Sequence, residues 1–340
     1  MYDIITIGTV TVDTFIKADF LKTVKDRKHL EKIGFKTGVA QCFSFGSKIE
    51  IKEPLVSIGG GAHNTAVTFS KNGLKTASLF NIGDDYFGKI ILKEMERKNI
   101  TPLAIIDKGK PTGNSFILLD KSGERTILVS RGCSGEIEGK EIPFKKLLAK
   151  WSYVVPGSIP LDVINKIFLH LAKQGTKIAL NPSKDLIELG VEKIKHLLNK
   201  CDVIFVNKEE ASCLTGISYN KTKEIFKKLD KHVKGIVVMT DGKNGSWVSD
   251  GKNVYKSGIF KEKKVVDRTG AGDAFGSGFV LAIIRATDNQ RLTIYNKNQI
   301  REALRMANAN ATSVIERIGA TEGILSKDEF ERDKRWKNLN

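Results

Sequence analysis

Residues 265–280, with the sequence VVDRTGAGDAFGSGFV, contain the residue types and spacing best suited to chemistry. Gly270, Ala271 and Gly272 form a tight turn, and Asp273 opens an apolar helix. The unpaired N–H groups of a helix N-terminus bind anions, and small residues let a ligand approach the backbone. A carboxylate beside such an anion could cap the helix, or it could take a proton from a nucleophile. The second alternative predicts phosphoryl transfer.

Such a turn needs a scaffold that brings several loops to one edge. From about residue 150 the chain alternates buried strands with amphipathic helices, which predicts a parallel sheet covered by helices on both faces. Ligands of such sheets bind at the carboxyl ends of the strands. Polar or glycine-rich groups follow the predicted strands and should converge there: Asp13, 59–64, Asn181, Asn207, 240–245 and 267–273. The predicted fold class is therefore α/β.

Two early segments do not fit this strand–helix rhythm. Residues 41–58 alternate like an exposed β-ribbon, and residues 115–130 read as a hairpin that turns at 121–123. Their alternation predicts a small second sheet that is wet on one side. We expect this sheet to form a β lid, built from segments of about 14–58 and 112–131, on a single domain that spans residues 1–340.

Composition and charge exclude several classes of protein. The 340 residues carry a net charge of +17, but the lysines are spread over amphipathic repeats without interleaved aromatic residues. This pattern favours a solvated basic surface over a nucleic-acid site, although the charge would attract anionic substrates. No apolar run approaches the roughly 20 residues of a membrane helix. The first residues read directly as a strand, with no signal peptide, so we expect a cytoplasmic protein.

Taken together, these residues resemble the ribokinase-like (PfkB-type) family of ATP-dependent sugar and nucleoside kinases. The resemblance covers about residues 3–325, and its specific motifs are GGGAHNTAV at 59–67, NIGDDYFGK at 81–89 and DRTGAGDAF at 267–275. It implies a ribokinase-like three-layer α/β/α sandwich with a mainly parallel central sheet and a small β-sheet lid. It also implies ATP and Mg²⁺ as cofactors.

The resemblance assigns the phosphoryl-transfer chemistry to the opening stretch. Asp273 would be the catalytic base for the acceptor hydroxyl, and the amides around Gly270, Ala271 and Gly272 would form the anion hole for the transferred phosphate. Phosphoryl transfer needs mainly positioning and charge stabilisation, which this turn can supply. However, the same helix end should lower the pKa of the carboxylate and weaken it as a base.

The resemblance places the acceptor at Asp13, Gly60, Gly61 and Asn64. A carboxylate and an amide can bind paired hydroxyls there, while glycines let a sugar approach the backbone. His63, beside these glycines, could be a substrate contact or a plain loop residue.

The nucleotide region implied by the resemblance consists of Asn207, Thr240, Gly242, Gly245 and Asn308. The last of these could equally be a polar residue inside a helix.

The resemblance also implies metal sites. Asn207 and Glu210 match an N-x-x-E element in which the glutamate arranges Mg²⁺ through water. The same pair could form a helix N-cap with a glutamate at its third position, and both readings can hold at once. Asp267 and Thr269 match a turn that binds a monovalent cation, K⁺, in many relatives.

The leading expectation is ATP-dependent phosphorylation of a primary hydroxyl on a sugar or sugar derivative. Gly157 aligns where ribokinases carry a sugar-contacting glutamate, and this difference weakens ribose as the substrate. The alternatives are a nucleoside kinase with a more apolar acceptor pocket and a non-catalytic member that binds a sugar. We also expect a homodimer through the lid, because exposed strand edges seek partners.

Overall fold

The computed structural model describes residues 1–17, 22–35, 38–119, 125–287 and 295–339. Its strands are β1 Tyr2–Gly8, β2 Thr11–Lys17, β3 Lys22–Lys25, β4 Val39–Cys42, β5 Leu55–Gly59, β6 Thr76–Gly83, β7 Ile100–Asp107, β8 Asn114–Leu119, β9 Arg125–Ser130, β10 Ala149–Val155, β11 Lys177–Leu180, β12 Val203–Asn207, β13 Ile236–Thr240, β14 Ser246–Ser249 and β15 Val254–Ser257.

Its helices are α1 Arg27–Lys32, α2 Gly61–Lys71, α3 Tyr86–Arg97, α4 Leu161–Lys173, α5 Lys184–Leu189, α6 Val191–Leu198, α7 Lys208–Thr215, α8 Thr222–Leu229, α9 Ala271–Ala286, α10 Lys297–Ile315 and α11 Lys327–Arg332. Short 3₁₀ turns occur at Phe144–Lys146, Gly242–Asn244 and Lys334–Trp336.

The central sheet has the strand order β15–β14–β13–β12–β11–β10–β1–β6–β7. Its strands are parallel from β7 to β13, and β14 and β15 continue it as an antiparallel hairpin. This hairpin forms one edge of the central sheet, with β15 outermost. The parallel strands direct their carboxyl ends to one edge, where the predicted site residues were expected to meet.

Helices cover both faces of this sheet because its strands are apolar on both sides. Val154 and Leu180 pack against the layer of α4 to α8. Tyr153 and Phe205 point to the opposite layer, which contains α9 and α10. α2 and α3 extend that second layer over β6 and β7. The predicted three-layer α/β/α sandwich is therefore confirmed.

A four-stranded lid sheet, with the order β5–β2–β8–β9, lies beside the central sheet. The β2–β8 pair is parallel and the β2–β5 and β8–β9 pairs are antiparallel, so the lid sheet is mixed. Phe15, Ile117 and Leu119 on one face pack with Ile318 in a small core of their own. The predicted hairpin is confirmed as β8 and β9, while its turn at 121–123 lies outside the described residues.

The prediction of a continuous ribbon over residues 41–58 was wrong. Only its two ends are strands, and they belong to different sheets, since β4 pairs with β3 in a separate two-stranded sheet. Gly46 has a φ of +70° and the Ser47 hydroxyl bonds to the Ser44 carbonyl, so the chain turns there. Pro54 lacks the N–H that a strand ladder needs.

The expectation that Asp13 ends the first strand was also wrong. β1 stops at Gly8 and the chain starts again as β2 at Thr11, so Asp13 lies inside a lid strand. The edge strand β7 was not predicted. The helix before it, α3, ends at Arg97, and Asn99 then turns the chain with a φ of +56°.

Within the described ranges, no helix is both long enough and apolar enough to cross a membrane.

Candidate active site

The N-terminus of α9 requires a glycine at its N-cap position. Gly270, the N-cap, has a φ of +76°, and a Cβ on it would lie 2.5 Å from the Cβ of Ala320. The first intrahelical bond runs from the N–H of Ala274 to the carbonyl of Gly270 at 2.8 Å. The amides of Gly272 and Asp273 therefore have no acceptor within the helix. This end of α9 is suited to bind an anion.

Asp273 sits in this first turn, half-buried. Its Oδ2 accepts a hydrogen bond of 2.9 Å from Nδ2 of Asn64 on α2. Burial raises the pKa of the Asp273 carboxyl, and the hydrogen bond from Asn64 only partly opposes this effect. The expectation that the helix end would leave this pKa low was therefore wrong. A carboxylate with a raised pKa is a better proton acceptor.

Asp13 is buried on the face of the lid that carries Phe15. Its carboxylate fills the space that a side chain at Gly59 would occupy, which explains the glycine in that register position. Burial raises its pKa and the charge of Asp267 raises it further, while hydroxyls of Thr11 and Ser115 oppose the rise. Gly59 was predicted only as part of the segment 59–64, and the hydroxyls of Thr11 and Ser115 were not predicted.

Gly60 and Gly61 bring the start of α2 close to neighbouring backbone. A Cβ on Gly60 would overlap the Thr9 carbonyl, and one on Gly61 would overlap the side chain of Val155. Packing alone thus accounts for both glycines. Their close approach fixes the start of α2, and so places Asn64 beside α9.

Asp267 and Thr269 form a hydrogen-bonded turn just before α9. Oδ1 of Asp267 accepts from the Thr269 amide at 2.9 Å and hydroxyl at 2.6 Å. Its Oδ2 accepts from the Gly319 amide at 3.1 Å. These bonds tie the turn to the loop that follows α10.

Asn207 and Glu210 form the capping box that was one of their two predicted readings. The Glu210 amide donates to Oδ1 of Asn207, and Oε2 of Glu210 accepts from the Asn207 amide, both at 2.8 Å. Burial raises the pKa of Glu210. Thr240 stands opposite Asn207 in the adjacent strand, so both lie at the same carboxyl edge.

The other predicted nucleotide residues occupy varied positions. Gly242 begins an exposed 3₁₀ turn, and a Cβ on it would meet nothing within 4 Å. Gly245 is buried, and a Cβ there would overlap the carbonyl of Ser257. Asn308 is buried in α10, where its Nδ2 donates to the Leu304 carbonyl at 2.9 Å. The reading of Asn308 as a polar residue inside a helix therefore describes its observed contact.

Lys208, which was not among the predicted site residues, supports this edge of the sheet. Its Nζ is 3.3 Å from Oδ2 of Asp241 and 4.3 Å from the ring centroid of Tyr219. The Tyr219 hydroxyl donates to the same carboxylate at 2.6 Å. These contacts hold the loop that follows β13 in place.

The donor set fits a phosphate and a water-rich magnesium ion. The free amides of α9 supply anion donors. The carboxylate of Glu210 bonds to the amide of Asn207, which lies opposite Thr240 at the same edge. In the described part of the chain, no group of three His, Cys, Asp or Glu side chains could hold a metal by itself. Mg²⁺ keeps several waters and needs few protein ligands.

We expect Gly276→Ala to destabilise the fold, because a Cβ at Gly276 would overlap the buried hydroxyl of Tyr153. Overpacking of this kind costs about 1–3 kcal/mol in free energy of unfolding. Gly272→Ala is the matched control, since a Cβ on that residue of the same helix meets nothing within 4 Å. Urea unfolding of both variants measures the difference. Equal unfolding midpoints would contradict this account of the packing under α9.

Comparison with known proteins gives the class that this fold and site define. The model of the pfkB family of carbohydrate kinases matches residues 28–327. The chain belongs to this family, which confirms the resemblance and the expected enzyme class, an ATP-dependent carbohydrate kinase.

Two curated relatives and one solved structure share between 21% and 28% sequence identity with the chain. An uncharacterized sugar kinase of Archaeoglobus fulgidus is 27% identical over 261 residues, which cover 75% of this chain and 97% of the relative. A probable fructokinase-5 of Arabidopsis thaliana is 28% identical over 270 residues, 74% of this chain and 80% of the relative. The structure of Arabidopsis thaliana ribokinase complexed with ribose and ATP superposes with a TM-score of 0.74 at 21% identity, covering 99% of both chains. The fold is that of ribokinase.

Proposed function

We propose that this protein transfers the terminal phosphoryl group of ATP to a primary hydroxyl of a sugar or sugar derivative. The observation that carries the proposal is Asp273, whose pKa is raised by burial and which lies in the first turn of α9 beside amides without acceptors. A base and an anion site therefore share one helix turn. The names of the sugar kinase and fructokinase relatives support a sugar as the acceptor.

In this proposal the chain's own residues divide the work. Asp13 and Asn64 bind hydroxyls of the acceptor, and Gly60 and Gly61 keep the backbone close to it. Asp273 takes the proton from the hydroxyl that becomes phosphorylated. The amides around Gly270, Ala271 and Gly272 stabilise the charge on the transferred group, because N–H donors fixed by a helix need no reorganisation.

The nucleotide would bind along the carboxyl edge formed by Asn207, Thr240, Gly242, Gly245 and Asn308. Adjacent strand ends and the supported loop after β13 are consistent with this placement. The free carboxylate oxygen of Glu210 would hold a magnesium-bound water. When bound, Mg²⁺ would neutralise phosphate charge.

We further propose, from the resemblance alone, that the turn of Asp267 and Thr269 lies at a K⁺ site. The Asp267 carboxylate already accepts three N–H or O–H bonds, so its observed contacts explain the turn without a cation. Comparison of the reaction rate with K⁺ and with a larger organic cation tests the site. An identical rate would contradict it.

ADP release in the presence of Mg-ATP, measured against sugars, sugar acids, sugar phosphates and nucleosides, tests the proposed function. Turnover on one sugar class is the expected result. ATP binding without turnover on any acceptor would instead favour the non-catalytic alternative.

One observation favours the nucleoside alternative. The lid face that carries Asp13 also carries apolar side chains, with Leu55 and Ile117 opposite Phe15 in the neighbouring strands and Ile127 opposite Ile117. Phe15 and Ile117 are buried against Ile318, but Leu55 and Ile127 are 44% and 41% exposed and could contact a nucleobase. ADP release with nucleosides and no ADP release with sugars in the same panel would establish this alternative.

We also propose a homodimer through the opposite face of the lid. Val56, Phe116 and Leu128 lie in register across Thr14 and are 54%, 47% and 56% exposed. Burial of this apolar row against a second copy would be favourable. Light scattering should give twice the chain mass for the wild type and the chain mass for Phe116→Lys. The control Leu169→Lys changes an exposed leucine on α4 and should leave the dimer intact. A monomeric wild type would exclude the dimer.

A further inference from the structure

His63 is buried beside the two residues that meet at the candidate site. The sequence left it as a loop residue or a substrate contact, but it lies in the first turn of α2 and is only 1% exposed. Its Nδ1 is 3.4 Å from Oδ1 of Asn64. Burial lowers the pKa of His63 to about 4, so the ring is neutral at neutral pH. A neutral imidazole carries its proton on only one of its two nitrogens.

The contacts of Asn64 determine which nitrogen carries that proton. The Asp273 carboxylate accepts hydrogen bonds, so the Asn64 atom at 2.9 Å from it must be the donor Nδ2. Oδ1 of Asn64 then faces His63 and can only accept. The Nδ1 of His63 must therefore be the protonated nitrogen. A continuous donor chain runs from His63 through Asn64 to Asp273.

Among the described residues, the other ring nitrogen of His63 makes no hydrogen bond that would compete with the contact to Asn64. Nε2 of His63 is buried and has no hydrogen-bond partner among the described residues. The ring also lines a cavity of about 320 Å³ whose walls include Ser57, Glu94, Arg97 and Thr321. Among the described residues, the ring therefore makes its polar contact with Asn64. This argues against a role of His63 in anchoring α2 to neighbouring elements.

We propose that His63 is a positioning residue, whose Nδ1–H holds the Asn64 amide in the orientation that donates to Asp273. An asparagine amide can rotate by half a turn and present its oxygen instead, which would place two acceptors face to face. The donor from His63 penalises that rotamer, because Oδ1 would then lose its partner. This inference rests on the proposed role of Asp273 as the base.

The kinetic test compares two replacements of His63. His63→Phe keeps a ring without a donor, and His63→Asn keeps an N–H close to the position of Nδ1. We expect kcat to fall about 10-fold in His63→Phe, because misplacement of a reacting group is costly, with the KM for ATP unchanged. His63→Asn should recover most of this loss. Equal kcat values for the two variants would overturn the proposal.

His170→Phe is the matched control. His170 also has a buried Nε2 without a hydrogen-bond partner in the described chain, but it lies on α4, in the helical layer on the opposite face of the central sheet from α9. Its replacement should leave kcat unchanged. A fall in kcat equal to that of His63→Phe would show that loss of any such ring impairs the enzyme, and would overturn the specific role of His63.

A measurement on the wild type needs neither activity nor a stable His63→Phe variant. Nitrogen-15 NMR of histidine-labelled protein at pH 7 should show the Nδ1–H tautomer for the resonance that disappears in His63→Asn. The Nε2–H tautomer would overturn the inference. If the tautomer is as expected but the wild type phosphorylates no acceptor, the proposed function fails and the hydrogen-bond chain remains.

Discussion

Asp273→Asn should lower kcat by about 10³-fold, within the range that a general base contributes. The amide has nearly the same shape as the carboxylate, and its oxygen can still accept the bond from Asn64. The turn at Gly270 and the free amides of α9 are unchanged, so the affinity for ATP should remain close to that of the wild type. The variant thus removes proton transfer while it keeps the anion site. Steady-state kinetics and nucleotide binding by calorimetry measure the two quantities.

The control for this variant is Asp162→Asn. Asp162 also lies in the first turn of a helix, α4, and its side chain is 70% exposed in an ion pair with Lys166. We expect its replacement to leave kcat and ATP affinity unchanged. A near wild-type kcat for Asp273→Asn would show that another group takes the proton. A large loss of ATP affinity would show that the carboxylate organises the nucleotide site.

Asp13→Ala should raise the KM for the acceptor by about 100-fold, since hydrogen bonds to a charged group contribute about 1.5–3 kcal/mol each and a carboxylate can accept two hydroxyls. The KM for ATP should not change, because Asp13 lies in the lid and not among the proposed nucleotide residues. In the wild type, the hydroxyls of Thr11 and Ser115 hold the Asp13 carboxylate. Initial rates at varied acceptor and fixed saturating ATP give both constants.

Thr14→Ala is the matched control for Asp13→Ala. It changes the next residue of β2, whose side chain points to the opposite face of the lid. An acceptor KM that rises equally in both variants would indicate general damage to the lid. An unchanged acceptor KM in Asp13→Ala would remove Asp13 from the acceptor site.

The sequence alone predicted those features that depend on neighbours along the chain. The glycine turn at Gly270 and the capping box of Asn207 and Glu210 each lie within a few residues, where backbone sterics and local hydrogen bonds decide the conformation. The alternation of buried strands with amphipathic helices predicted the α/β sandwich, because each element must bury its own apolar face.

Features that join distant segments could not be predicted in this way. The polarity of Asp13 predicted that this residue ends the first strand. In the structure, that strand ends at Gly8, and the pairing of β2 with β8 puts Asp13 inside the lid sheet. The ribbon over 41–58 alternated convincingly, yet its two ends pair with different partners. Strand pairing depends on which edges meet, and a period of two residues does not specify that.

The candidate site follows the same division. The sequence determined that a carboxylate would stand at a helix N-terminus beside small residues, because turn and helix are local. Only the tertiary structure decided that Asn64 contacts Asp273 across 209 positions of the chain, and that His63 lies behind Asn64. It also decided the direction of the pKa of Asp273, which a helix end alone would lower. Burial raises this pKa instead, since desolvation depends on everything packed around the group.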